Sequence, residues 1–125
     1  MKNIQLTCAH ALIKYLIAQK TLIDGKKVPL FPGVFGIFGH GNVACLGQAL
    51  QENQKDLPTW RGHHEQNMAL TGIAYSRAKR RKQIFVATSS VGPGSTNMIT
   101  AAAVAMSNRI PILFLPGDTF ANRMP

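Results

Sequence analysis

The chain has 5 acidic residues against 14 Lys and Arg, so each carboxylate can be weighed singly. Between Asp56 and Asp118 the only carboxylate is Glu65. Glu65, Met68, Ala69, Gly72, Ile73 and Ser76 recur at i, i+3, i+4 and i+7, the spacing of one helix face. A carboxylate at the head of an apolar stripe is partly withdrawn from water, which favours its protonated form. Such a group suits proton sharing or transfer. The competing reading is a Glu that only complements the positive N-terminal end of its helix. Spacing alone leaves the two even.

Gly92-Pro93-Gly94 precedes a run of small residues. Glycines let a backbone approach a ligand closely, and a helix start favours negative charge. Taken alone, a tight strand-to-helix turn explains the tripeptide better. His40, beside Gly39 in a glycine turn, is a candidate pocket residue or a solvated turn histidine. His63 and His64 are adjacent, so on a helix they diverge and do not share a metal ion. No metal site is expected in this chain. Neither G-x-G-x-x-G nor G-x-x-x-x-G-K-[ST] occurs, which removes support for nicotinamide or nucleoside-triphosphate binding.

These residues need elements to hold them. Thr7 to Ile23 has helical apolar spacing, with Thr7 as N-cap and Asp24-Gly25 as its end. A loop is expected from there to Pro32. Gly33 to Phe38 reads as a buried strand, Gly39 to Asn42 as a turn, and Val43 to Glu52 as a helix. Pro58 to Gly62 is a short strand, His64 to Arg77 a helix, and Gln83 to Thr88 a strand. Ser89 to Gly94 is a loop, Ser95 to Asn108 a helix, and Pro111 to Leu115 a strand. Alternating helices and continuous apolar strands predict an α/β fold, a parallel sheet with helices on both faces. Ligands of such folds sit at the carboxyl ends of strands, which here carry Gly39, His40, Glu65, Ser89 to Gly94 and Asp118.

The chain has 125 residues and a formal charge of +9, with 46% apolar and only 15% charged residues. So few charges fit a surface covered by other protein. The basic excess is concentrated in Arg77, Lys79, Arg80, Arg81 and Lys82, at a predicted helix end that favours cations. No aromatics interleave with it, so a nucleic-acid platform is not expected. A non-catalytic basic binding module is the alternative this run would support. No apolar run approaches 18 residues, and no membrane partner is expected. Cys8 and Cys45, without a C-x-x-C pair, read as reduced, buried thiols of a cytoplasmic protein.

Three segments in order resemble thiamine-diphosphate-dependent enzymes of the acetolactate-synthase type. Phe35 to Gly39 resembles the family's F-G-x-P-G turn, with Phe38 in place of proline. His64-Glu65-Gln66 followed by Ala69 resembles its H-E-Q helix start. Thr88-Ser89 with Gly92 to Asn97 resembles its T-S-G-P-G-A-T-N stretch, lengthened by Ser90-Val91. The strings FGIFGHGNV (from Phe35), TSSVGPG (from Thr88) and NRIPILFLPGDT (from Asn108) look like one branch, hydrolases that open the carbon ring of a cyclic dione. Carboligases or decarboxylases of 2-oxo acids are the alternative within the family.

The resemblance implies that Glu65 hydrogen-bonds N1′ of the cofactor's aminopyrimidine and favours the imino tautomer that deprotonates the thiazolium carbon. It implies cofactor contacts for Gly92, Pro93, Gly94 and Asn97, and substrate-side positions for Gly39 and His40. It further implies that residues 1–125 form an incomplete N-terminal pyrimidine-binding domain, apparently truncated. The central and diphosphate-binding domains would be absent, and with them the Mg2+ site. The implied partners are a second subunit, in a dimer or dimer of dimers with the active site at the interface, and a small cyclic dione.

Overall fold

The computed structural model describes residues 3–119 and Asn122. Helix α1 (Cys8–Ala18) begins where the Thr7 side chain accepts from the His10 N–H, the expected cap. The helix stops at Ala18, five residues short of the sequence expectation. Lys20–Ile23 (β1) and Lys26–Pro29 (β2) instead form an antiparallel hairpin. Asp24 and Gly25 both have positive φ, 50° and 76°, the backbone of a two-residue hairpin turn that Asp-Gly favours. Buried Gln83 fastens this hairpin to the domain. Its amide donates to Pro29 O at 2.8 Å, and its carbonyl accepts from the Tyr75 hydroxyl at 3.0 Å. Burial pushes the Tyr75 phenol above its ordinary pKa.

The main sheet has four parallel strands in the order β4-β3-β5-β6. They are β3 (Val34–Gly36), β4 (Thr59–Arg61), β5 (Val86–Ser89) and β6 (Leu113–Pro116). Central β5 is buried along its whole length, as a strand covered on both faces must be. Two cores result. Ile13, Leu16, Val34, Leu46, Leu50, Leu57 and Val86 form one. Ala69, Ile73, Ala87, Met98, Ala101 and Ala105 form the other. Val86 and Ala87 serve opposite faces because strand side chains alternate. Truncating a fully buried residue such as Leu50 costs about 2–5 kcal/mol.

The helices follow the expected order with two breaks. His40–Asn42 (α2) and Gln48–Glu52 (α3) flank a wider π-helical turn, Val43–Gly47. Helix α4 (Glu65–Ala78) buries Met68, Ala69, Gly72, Ile73 and Ser76, the stripe read from spacing. The small-residue run divides into α5 (Pro93–Thr96) and α6 (Ile99–Ser107), with Asn97 between them. Cys8 and Cys45 are free and exposed, correcting the expectation of buried thiols. Both lie on helices outside the core stripe, where composition gives no information. No helix among the described residues is long and apolar enough to cross a membrane.

Candidate active site

The carboxyl ends of all four strands lie at one edge of the sheet, and each is followed by a segment holding a candidate residue. After β4, His64 is extended and caps α4, so Glu65 is the first helical residue. The Met68 side chain packs over Gly62, where a Cβ would displace it. Glu65 is half-buried.

After β5, Gly92 has φ 58° and ψ −117°, a backbone that an L side chain rarely adopts. It launches α5 with Pro93 at its first position, where a missing N–H loses nothing. Pro93 O then accepts from the Asn97 N–H at 2.9 Å, fixing where Asn97 stands. The Asn97 amide donates to Glu65 Oε2 at 2.8 Å. Its nitrogen also lies 3.3 Å from His64 Nε2, while His64 Nδ1 accepts from the Asn67 N–H at 3.4 Å. A neutral imidazole accepts at one nitrogen, so only one of these two contacts is a bond at a time.

Glu65 Oε1 has no hydrogen-bond partner among the described residues. It faces Gly94, where a Cβ would stand 3.3 Å from Oε1 and 3.2 Å from Ser90 Cβ. One carboxylate oxygen is therefore tied and the other left open beside a clearing made by glycine. That geometry fits a planar ring nitrogen that exchanges a proton with a carboxyl group.

Ser95 was not among the candidates, and it holds the loop together. Its hydroxyl lies 2.7 Å from Ser90 O and 2.8 Å from Gly117 O, two acceptors competing for one proton. Gly117 donates to Ser89 O at 3.0 Å. A Cβ on Gly117 would approach Ser89 O to 2.9 Å, so this backbone contact requires glycine. The available signal was a hydroxyl directly after Gly-Pro-Gly.

Gly39 and His40 fall in a different place from Glu65. They line a cavity of about 390 Å3 together with Asn42, Cys45, Ser90 and Asp118. Glu65, Gly92, Pro93, Gly94 and Asn97 do not line it. Ser90 touches both groups, meeting Gly94 on one side and Gly39 on the other, where a Cβ would lie 2.5 Å from its Oγ. Among the described residues no three His, Cys, Asp or Glu side chains are grouped to hold a metal ion.

Residues 32–124 match the model of the thiamine pyrophosphate enzyme family, N-terminal TPP binding domain. The chain belongs to this family. A protein of Clostridium tetani named 3D-(3,5/4)-trihydroxycyclohexane-1,2-dione hydrolase is 52% identical over 125 residues, 100% of this chain and 19% of its own length. One of the same name from Geobacillus thermodenitrificans is 54% identical over 125 residues, 100% of this chain and 20% of its own length. A third, from Listeria innocua, is 51% identical over 124 residues, 99% of this chain and 19% of its own length. The chain thus spans about a fifth of the length of the curated relatives it matches.

Proposed function

We propose that residues 1–125 form the N-terminal, pyrimidine-binding part of a thiamine-diphosphate-dependent hydrolase. In this reading the substrate is 3D-(3,5/4)-trihydroxycyclohexane-1,2-dione, cleaved at a ring carbon–carbon bond to 5-deoxy-glucuronate in myo-inositol catabolism. The observation that carries it is Glu65 at the head of α4, with Oε2 held by Asn97 and Oε1 open beside Gly94. The names of relatives at 51–54% identity support the substrate.

Thiamine diphosphate, when bound, supplies the electron sink that allows a bond next to a carbonyl to break. The chain's own residues position and protonate. Glu65 Oε1 binds the aminopyrimidine nitrogen and holds or releases the shared proton. A half-buried carboxyl strengthens that hydrogen bond because less water competes for it. Asn97 fixes the carboxyl plane. Gly92 and Pro93 set the loop that carries Asn97, and Gly94 gives a flat ring room to approach. Gly39 and His40 stand on the substrate side, in the cavity.

The cofactor's diphosphate and its Mg2+ are held, in this reading, by a diphosphate-binding domain beyond these residues. The site is completed by a second subunit, in a dimer or dimer of dimers. Ile99 and Met106 on α6, 62% and 84% exposed, are an apolar face that fits such a contact. The enzyme is cytoplasmic.

The test is ring opening by the full-length protein, stripped of cofactor and then supplied with thiamine diphosphate and Mg2+. Activity is expected only after both are restored. Ring opening that survives cofactor removal, or turnover confined to 2-oxo acids, overturns the proposal.

A further inference from the structure

Asp118 is the one carboxylate lining the 390 Å3 cavity, and it lies two residues past the end of β6. The cavity is within the range of about 300–1,000 Å3 usual for small-molecule sites. His40 and Asn42 enter it from the segment after β3, and Asp118 and Thr119 from the segment after β6. Polar groups thus converge on it from two strand ends, with Ser90 from a third.

Asp118 Oδ1 accepts from the Thr119 N–H at 2.8 Å, and Oδ2 has no partner among the described residues. The chain has 14 Lys and Arg, yet the one salt bridge found among the described residues joins His10 to Glu52. Asp118 thus presents an acceptor to the cavity, and no cation pairs with it among the described residues. Its backbone is also fixed. Preceding Gly117 is buried, bonded to Ser89 O and packed against the Ser89–Val91 backbone.

We infer that Asp118 is a specificity-determining residue, accepting hydrogen bonds from hydroxyl groups of a polyhydroxylated ring seated in this cavity. The inference rests on the functional reading above and deepens it. A carboxylate is a strong acceptor for hydroxyl donors. It also repels an anionic substrate, so the same residue disfavours 2-oxo acids, whose carboxylate would enter a cavity already lined by one. A site built around hydrogen bonds to hydroxyls rejects analogues that lack them.

The test compares full-length wild type with Asp118→Asn, using the trihydroxy dione and analogues each lacking one ring hydroxyl. Asparagine still accepts from the Thr119 N–H, so the turn keeps its bond. The variant should raise KM about tenfold, the loss of one hydrogen bond to a charged group, with kcat nearly unchanged. Thiamine diphosphate affinity, read by calorimetry, should not move. Deleting the hydroxyl that Asp118 reads should penalise wild type and add no further penalty in the variant. An unchanged KM, or equal penalties in both proteins for every analogue, overturns the inference while leaving the functional reading standing. A wild type that fails to open the ring with cofactor present overturns that reading, and the inference with it.

Discussion

The Asn97 amide donates to Glu65 Oε2 at 2.8 Å, joining residues 32 positions apart. The bond ties the head of α4 to the junction of α5 and α6, so the carboxyl group is oriented by a second element. Replacing Asn97 by Ala should lower turnover roughly tenfold to a hundredfold, the worth of a hydrogen bond to a charged group. Steady-state kinetics at saturating cofactor checks this. Asn97→Asp should be worse near neutral pH, because two adjacent carboxylates disfavour each other's charge. Wild-type kcat in either variant would mean that Glu65 is held by something else.

Gly92 is the tightest backbone requirement of the loop. Gly92→Ala places a side chain at φ 58° and should destabilise by roughly 1–3 kcal/mol. Urea unfolding of the full-length protein reads the loss, and kcat should fall with it as α5 shifts. A neutral substitution would contradict the strain described for this loop.

Ser76 offers a gain. Its hydroxyl is fully buried on α4 and has no hydrogen-bond partner among the described residues. Ser76→Ala removes an unpaired polar atom and installs a better helix former, for an expected gain of about 1–2 kcal/mol. A higher melting temperature is the expected result, and a lower one would show that the hydroxyl is satisfied.

The Glu52 carboxyl, joined to Gln48 and to His10, is held below its ordinary value of 4.5, first by the Gln48 amide and then by His10. A depressed carboxylate pKa contributes stability that is complete above the ordinary value. The contribution disappears as pH falls through the folded value. Glu52→Gln should therefore lower the melting temperature slightly at pH 7, where the contribution is complete, and flatten the acid limb of the profile below about pH 4.5, where wild type and variant converge. An acid limb as steep as wild type would dismiss the contribution.

Much of this arrangement is legible in the sequence because its signals are local. The α4 stripe, the Thr7 cap and the continuous apolar run in β5 each report directly on burial or chain direction. The hairpin was missed because Asp24-Gly25 serves equally as a helix stop and as a two-residue turn, and only pairing with Lys26–Pro29 decides. The exposure of Cys8 and Cys45 depends on which faces of their helices meet the sheet. The division of the candidates into a Glu65 group and a His40 cavity depends on strand order, as does the place of Asp118 beside His40. No local pattern encodes that β6 lies next to β5 and that β3 lies on its other side. The Ser95 clamp is similar, since one of its acceptors, Gly117, is 22 residues away.

In the proposed function the Glu65 carboxyl group exchanges a proton with the cofactor ring. The most direct measurement of that exchange is turnover of full-length Glu65→Gln at saturating thiamine diphosphate and Mg2+. The glutamine side chain keeps the shape and an oxygen for Asn97, but it carries no exchangeable acid proton. Turnover should fall by about 10²–10⁴-fold, the usual weight of acid–base catalysis, with the melting temperature unchanged. Near wild-type turnover in that variant would show that Glu65 does not exchange a proton with the cofactor.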